Sequence, residues 1–249
     1  MKDEPHKQER FFRLGEEYFW FSSQNAIVER VLGGRLAPLE GGRRPLRLLD
    51  VGCGPGNVLR RLERWGHAFG SDFSLDALAF ARSKGMRRLL SSDSTALPFA
   101  SCAFDVVVAL DVLEHIADDR AALHEIARVL RPGGVFVFAV PAFMALWRHH
   151  DVMYGHFRRY VRAEFIAEVL GVGLTVERCE YIKCAFFVPL LAIALAERVG
   201  QGSVPQRDNF YRVLSWLNIV FDAQIRWEHR LGLGRWLPFG VSLLCVGRR

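Results

Sequence analysis

Residues 48–57 read Leu-Leu-Asp-Val-Gly-Cys-Gly-Pro-Gly-Asn. An apolar strand ends at Asp50, and a loop with three glycines leads into a helix that begins near Asn57. Glycine lets the backbone approach a ligand closely, and a helix start adds free N–H groups and the positive end of a dipole. The stretch therefore predicts a ligand-binding junction between a strand and a helix.

The spacing of Gly52, Gly54 and Gly56 separates two kinds of ligand. It is G-x-G-x-G, whereas a loop wrapped around a dinucleotide pyrophosphate is expected to read G-x-G-x-x-G. Asp50 stands directly before the glycines, where a carboxylate would repel a phosphate but attract an ammonium or sulfonium group. The loop therefore favours a cationic ligand without phosphate.

The composition limits the class of protein. The chain has 249 residues, 51% of them hydrophobic and 24% charged, which fits one large domain with a sizeable core. The net charge of +6 is compatible with an anionic substrate or a membrane surface, although ordinary surface arginines explain it more simply. Five cysteines without C-x-x-C spacing favour a reducing compartment, and the polar N-terminus does not look like a signal peptide. We therefore expect a cytoplasmic protein.

Strands and helices alternate through the first half of the chain. Strands are predicted at 46–50, 67–71, 87–91, 104–110 and 135–140. Helices are predicted between them at 57–65, 75–84 and 118–130, the last one stopped by Arg-Pro-Gly-Gly at 131–134. This alternation predicts an α/β fold with a doubly wound, mostly parallel sheet, whose ligands bind at the carboxyl ends of the strands.

A long insertion separates the last two predicted strands. After a helix at 162–170 come strands at 174–182 and 241–247, which enclose helical segments at 184–199 and 209–232 and a polar loop at 200–208. The longest apolar run, 184–196, is shorter than the ~20 residues that a membrane span requires. The insertion is therefore predicted to cover the site, to form a dimer or to touch a membrane surface.

Three acidic residues, Asp50, Asp72 and Asp93, fall at the ends of three successive strands. Asp72 follows Asp50 by 22 residues, about where a ribose-binding carboxylate follows a glycine loop. Asp93 is placed to accept a hydrogen bond from an exocyclic amino group such as that of adenine. Each carboxylate alone could simply cap a loop or a helix. Together they favour a sulfonium nucleoside, which has an amino acid arm, a ribose and an adenine but no phosphate.

Five motifs in this order resemble the class I S-adenosylmethionine-dependent methyltransferases, and more narrowly the methyltransferase type 11 branch. They are Leu-Leu-Asp-Val-Gly-Cys-Gly-Pro-Gly (48–56), Gly-Ser-Asp-Phe-Ser (70–74), Ser-Asp-Ser-Thr-Ala-Leu-Pro-Phe (92–99), Phe-Asp-Val-Val-Val-Ala-Leu-Asp-Val-Leu-Glu-His-Ile (104–116) and Leu-Arg-Pro-Gly-Gly (130–134). The match covers about residues 46–182. It implies a seven-stranded sheet in the order 3-2-1-4-5-7-6 with an antiparallel last strand.

The resemblance also implies a cofactor and its contacts. The cofactor would be S-adenosyl-L-methionine, with S-adenosyl-L-homocysteine as product, and no metal would be required. The expected contacts, from the amino acid arm through the ribose to the adenine and the floor beside the sulfonium, are Asp50, Gly52, Gly54, Gly56, Asp72, Phe73, Asp93, Ser94, Leu110, Asp111 and His115.

The resemblance divides the chain into two parts. Residues 1–45 are expected to be a helical, aromatic lead-in that acts as a lid, with a helix at 9–32 and a turn-rich connector at 33–45. Residues 46–249 are expected to be the methyltransferase domain, with a helical insertion at about 184–232.

The acceptor site is expected in residues 147–160, which follow the fifth strand and contain three His, three Arg and two Tyr. Candidate acceptor contacts are Tyr154, Arg158, Arg159 and Tyr160, with Trp20 from the lead-in. The alternative is that these side chains pair with acidic neighbours and pack. Removing a proton from a hydroxyl or ammonium nucleophile calls for a base, and the candidates in order are His156, His150 and His115.

These observations predict methyl transfer to an oxygen or nitrogen atom of a small-molecule, lipid or glycan-linked acceptor. A nucleic-acid acceptor is not expected, because no Asn/Asp-Pro-Pro-Tyr motif follows the fourth strand and no dense basic stripe appears. Peripheral contact with the inner membrane face and a monomer or homodimer are left open. The competing interpretations are a cofactor-binding subunit without catalysis and, less favoured by the glycine spacing, an NAD-dependent oxidoreductase.

Overall fold

The centre of the sheet is the apolar run Phe-Asp-Val-Val-Val-Ala-Leu at residues 104–110. In the computed structural model, which describes residues 18–36, 44–199 and 215–249, this run is strand β4 (Phe104–Leu110). Its first six residues are buried. A strand that is covered by helices on both faces must be apolar on both, so β4 has no polar alternation.

Seven strands form one sheet. Besides β4, they are β1 (Leu46–Val51), β2 (Gly66–Asp72), β3 (Leu89–Ser91), β5 (Leu130–Pro141), β6 (Thr175–Ile182) and β7 (Ser242–Arg248). Their order is β3-β2-β1-β4-β5-β7-β6. The first five strands are parallel, and β7 runs antiparallel to both β5 and β6. The predicted fold class and strand order are confirmed.

Nine α-helices are described in residues 18–36, 44–199 and 215–249. They are α1 (Phe19–Leu36), α2 (Asn57–Leu62), α3 (Leu75–Ser83), α4 (Asp119–Val129), α5 (His149–Met153), α6 (Arg162–Gly171), α7 (Phe187–Val199), α8 (Ser215–Leu231) and α9 (Leu233–Trp236). The polar loop predicted at 200–208 and the start of the helix predicted at 209–232 lie outside the described residues. Within those residues, no helix combines the length and the apolar character needed to cross a bilayer.

Some predicted boundaries were wrong. Helix α1 continues through Gly33 and Gly34 to Leu36, where a connector was predicted, because Leu32 and Leu36 are fully buried and hold the last turn against the core. Residues 1–17 and 37–43 lie outside the described part.

Other corrections concern two elements of the main domain. Helix α2 ends at Leu62 rather than near residue 65. Strand β5 begins at Leu130, which pairs with Phe104, and a register shift between Phe104 and Val106 absorbs the Arg-Pro-Gly-Gly segment. That segment was predicted to stop the preceding helix, and it also forms the irregular start of the strand.

The lead-in helix and the insertion pack against each other. The ring of Phe19 in α1 lies 5.5 Å from that of Phe186, just before α7, and 5.2 Å from that of Phe221 in α8. The backbone N–H of Phe19 donates to Asn218 Oδ1 at 2.6 Å, and the Ser22 hydroxyl donates to Asp222 at 2.6 Å. Segments far apart in the chain therefore form one aromatic layer.

Candidate active site

The glycine loop after β1 is open on the side where a ligand would lie. Gly54 has φ +52° and nothing within 4 Å of the position that a Cβ atom would take. Gly56 precedes α2 with φ +84°, and a Cβ atom there would meet Met86 Sδ at 2.1 Å. The first glycine leaves room in a cleft, and the second lets the helix begin close to its neighbours.

Asp72 connects this loop to the next helix. Its carboxylate accepts hydrogen bonds from the backbone N–H of Gly54 and of Ser74, both at 2.7 Å. The Ser74 hydroxyl in turn caps α3 by accepting from the N–H of Ala77 at 3.2 Å. The Asp72 carboxylate is therefore held at the carboxyl end of β2, beside the open side of the glycine loop.

Asp50 is a buried carboxyl whose charge is not balanced. Its side chain is 2% exposed, and its Oδ2 atom has no hydrogen-bond partner. Burial, helped by the nearby negative charge of Asp72, raises the pKa of Asp50 to about 8. A bound ammonium group would supply both the missing charge and the missing donor.

The remaining predicted cofactor contacts lie at the same edge of the sheet. Asp93 is exposed and accepts from the N–H of Thr95 at 2.8 Å, which lowers the pKa of its carboxyl. The side chain of Phe73 is 85% exposed, as a ring available for stacking would be. Ser94 and Leu110 are half-buried. The cleft thus combines two buried or tethered acids with an exposed ring.

A separate cavity of about 190 Å³ lies next to this cleft and includes Asp111 and His115 in its wall. Aromatic side chains from the start of α1 form one side of it, and the segment after β5 forms the other. The lining residues are Tyr18, Trp20, Phe21, Asp111, Glu114, His115, Pro141, Leu146, Arg148, His150, Tyr154, His156, Arg159, Leu190, Val241 and Ser242.

Asp151 organises the polar side of the cavity. It is fully buried, and its carboxylate contacts His156 Nδ1 at 2.9 Å and accepts from Arg159 Nε at 2.8 Å. Burial alone would raise the pKa of Asp151, but these partners hold it well below its usual value. An ionised carboxylate only accepts hydrogen bonds, so Nδ1 of His156 is the donor in this pair.

Two further histidines line the cavity as neutral rings. Burial, together with the neighbouring His156, lowers the pKa of His115, whose ring lies 4.5 Å from that of His156. Burial and the Arg148 charge lower the pKa of His150 to about 4.

Glu114, His115 and His156 bring one ligand atom each to within 4.8 Å of one another, which is a candidate metal-ligand set among the described residues.

A buried lysine ties helix α1 to the end of strand β4. Lys183 is fully buried and donates to Gln24 Oε1 at 2.7 Å, and Gln24 Nε2 donates to Asp111 Oδ2 at 2.8 Å. The Lys183 ammonium also lies 4.0 Å from the ring centre of Trp20. Burial lowers the pKa of Lys183 to about 8. This chain of contacts fixes α1 to the end of β4.

Comparison with known proteins agrees with this arrangement. Residues 49–138 match the family model described as a methyltransferase domain. A malonyl-[acyl-carrier protein] O-methyltransferase of Pseudescherichia vulneris is 28% identical over 198 residues, covering 76% of this chain and 77% of the relative. A probable S-adenosylmethionine-dependent methyltransferase of Mycolicibacterium smegmatis is 33% identical over 174 residues, covering 66% of this chain and 62% of the relative.

The fold is also similar to that of solved structures. The crystal structure of an S-adenosylmethionine-dependent methyltransferase from Mesorhizobium loti superposes with a TM-score of 0.54 at 20% identity, covering 87% of this chain and 96% of that one. The family match over residues 49–138 and these relatives support a class I S-adenosylmethionine-dependent methyltransferase of the type 11 branch. These similarities imply S-adenosyl-L-methionine as the cofactor, and its cationic, phosphate-free structure suits the buried Asp50.

The structure separates the predicted acceptor residues of the methyltransferase into two groups. The first group lines the cavity and comprises Trp20, His115, His150, Tyr154, His156 and Arg159. The second group, Arg158 and Tyr160, lies outside it. Arg158 Nη1 and the Tyr160 hydroxyl both donate to the carboxylate of Asp119 at 2.7 Å. For these two residues the geometry matches the alternative, pairing with an acidic neighbour.

Three functional residues lie outside the sequence prediction: Glu114 and Tyr18 of the cavity wall, and Lys183, which contacts α1. For Lys183, a charged residue directly after a predicted strand is a usable signal. Glu114 is buried with an unpartnered Oε2 atom, and burial raises the pKa of its carboxyl. Tyr18 lies in the lead-in, whose position relative to the sheet cannot be derived from the sequence alone.

Proposed function

We propose that this protein transfers the methyl group of S-adenosylmethionine to an oxygen or nitrogen atom of a polar acceptor bound in the cavity beside the cofactor cleft. The observation that carries the proposal is the position of the His156–Asp151 pair. His156, with Asp151 bonded to its Nδ1, lines a cavity that shares Asp111 and His115 with the predicted floor of the cofactor site.

The chemistry needs little beyond alignment and one proton acceptor. The acceptor atom attacks the methyl carbon in line with the departing sulfur, so the positive charge of the sulfonium disappears as the bond breaks. Holding these atoms in line supplies much of the acceleration. In our proposal the acceptor's proton moves to Nε2 of His156, and the buried carboxylate of Asp151 stabilises the imidazolium that forms.

The walls of the cavity favour an acceptor with both polar and apolar parts. The lining is divided between polar side chains, which include Arg148, Arg159 and three histidines, and apolar ones, which include Trp20 and Leu190. Arg159 is engaged by Asp151, so its role toward an acceptor is mainly to keep that carboxylate ionised. A hydroxyl or amine on a lipid or glycan-linked molecule fits this division.

The test is an incubation of the purified protein with labelled S-adenosylmethionine and a cell extract, followed by mass spectrometry of the labelled fraction. We expect label in an organic-soluble or small-molecule fraction. Asp72→Ala should abolish labelling by removing the carboxylate at the glycine loop. Asp76→Ala, an exposed acid in the first turn of α3, is the matched control and should label normally.

Two results would contradict the proposal. If the protein binds the cofactor but labels no fraction, it is a cofactor-binding subunit without catalysis. If the label appears in nucleic acid, the acceptor class is wrong.

A further inference from the structure

Helix α7 exposes apolar side chains to solvent. Its outward residues Val188, Ile193, Leu195 and Val199 are all exposed. A helix on the surface of a water-soluble protein normally turns its polar face outward. In α7 the outward face is therefore unsuited to bulk water.

Helix α8 repeats the pattern with larger side chains. Trp216, Val220 and Trp227 recur at helical spacing along its outer face, with Ile219 and Leu231 beside them, and all five are exposed. The two helices lie on the same side of the molecule, because Glu228 of α8 accepts from the N–H of Cys184, just before α7, at 2.7 Å.

Three arginines are exposed beside these stripes, Arg198, Arg230 and Arg235. Arg198 also donates to the backbone carbonyls of Met144 and Ala145, and Arg235 contacts Glu180, so Arg230 is the one most available to a ligand. The acidic residues of the same helices face inward or are engaged. Glu228 is 3% exposed, Asp222 accepts from Ser22 and Arg226, and Glu197 accepts from the N–H of His149. Tryptophan and arginine beside an apolar helix face are typical of helices that lie in the interface of an anionic membrane.

We infer that the outer faces of α7 and α8 dock on an anionic lipid bilayer, lying in the headgroup layer without crossing it. We take the occupant to be a lipid surface rather than a second copy of the chain, because exposed tryptophans and the exposed Arg230 stand beside the apolar stripes, as suits a headgroup layer.

This placement also bears on the substrate, and here it rests on the proposed function. Leu190 of α7 lines the acceptor cavity, three residues before the exposed Ile193. The helix that would contact the bilayer is thus also a wall of the cavity, and an acceptor carried by a lipid would have a short path from the membrane into the site.

The test is co-sedimentation of the full chain with vesicles of phosphatidylcholine alone or mixed with phosphatidylglycerol. We expect binding to the mixed vesicles and weak binding to the neutral ones. Ile219→Glu should reduce partitioning at least about tenfold, since it removes an inserted apolar side chain. Arg230→Glu should reduce it by about fivefold or more by removing attraction to anionic lipid.

Leu170→Glu is the matched control, because Leu170 is 51% exposed on helix α6 and Ile219 is 69% exposed on α8. It should bind as the wild type does. Absence of vesicle binding, or equal loss in Leu170→Glu, would overturn the inference. A concentration-dependent dimer in sedimentation velocity that Ile219→Glu abolishes would also overturn it, since a second copy would then cover the face. None of these results depends on methyl transfer, so a failure here is distinguishable from a failure of the proposed activity.

Discussion

The cofactor cleft and the acceptor cavity share one edge of the sheet but are assembled differently. The predicted contacts of the cleft fall between residues 50 and 111, and each lies at or just beyond the end of a parallel strand. Much of the shape of the cleft comes from the backbone. The cavity takes side chains from α1, from the segment after β5, from α7 and from the start of β7. Local sequence determines the first site, whereas the second requires the tertiary structure.

This difference fits what the two sites have to do. A fixed cofactor needs a fixed loop, and Asp72 ties that loop to α3 through two backbone hydrogen bonds. An acceptor site can vary while the cleft stays the same, because its walls come from segments outside the core of the sheet.

The largest effect is expected from His156→Gln. If the cavity carries the proton transfer, turnover should fall about 10²- to 10⁴-fold while cofactor affinity stays unchanged, because His156 lies outside the glycine loop. The measurement combines steady-state kinetics on the identified acceptor with calorimetric binding of S-adenosylhomocysteine. His149→Gln, an exposed neighbour, should behave as wild type. If His156→Gln lowered the cofactor affinity as much as the turnover, the cofactor site and the acceptor cavity would not be separable.

Lys183→Met tests how helix α1 is held against the sheet. The folded-state pKa of about 8 is depressed, so between about pH 8 and about pH 10 the unfolded chain binds more protons than the folded one. The free energy of unfolding of the wild type should therefore rise by about 2 kcal/mol from this group over that window. Denaturant titrations at several pH values should show the rise in wild type and its absence in Lys183→Met. An identical slope in both proteins would mean that Lys183 is not held neutral.

Asp50→Asn tests whether the buried carboxyl of Asp50 binds the ammonium group of the cofactor. Because the folded-state pKa of Asp50 is raised to about 8, its contribution to stability is present at acid pH and is lost as the pH rises toward 8. The variant should therefore unfold at a higher temperature than wild type at pH 8 without cofactor. It should also bind S-adenosylhomocysteine about tenfold more weakly, because a charge-assisted hydrogen bond is lost. An unchanged affinity for S-adenosylhomocysteine would show that Asp50 does not bind the ammonium group.

The smallest effect is expected from Arg158→Ala. Without Arg158, the carboxylate of Asp119 still accepts the hydrogen bond from the Tyr160 hydroxyl, and Arg158 is partly exposed. The free energy of unfolding should therefore fall by about 1 kcal/mol or less. The KM for the acceptor should stay within about twofold of wild type, with Arg120→Ala as an exposed control. A large rise in the KM for the acceptor in Arg158→Ala, but not in Arg120→Ala, would show that Arg158 contacts the acceptor.

The sequence was informative wherever position along a strand settles position in space. Asp50 and Asp72 could be paired from sequence because parallel neighbouring strands end at the same edge. The segment 147–160 could be assigned to that edge for the same reason, but not the direction of each side chain. His156 and Arg158 are two residues apart, yet one lines the cavity and the other pairs with Asp119. Lys183 and Gln24 could not be joined from sequence, because their contact depends on how α1 crosses the sheet.

The contact between Gln24 and Lys183 joins positions 159 residues apart. Closing so long a stretch of chain is entropically costly, and such contacts tend to form late in folding. The cleft, built from residues 50–111, needs no such closure. We therefore expect α1 to be among the first elements to detach and among the last to settle, so that amide hydrogens in α1 exchange faster than those in β1 and β4. The cover of the acceptor site would then open as a local unfolding event while the cofactor site remains folded.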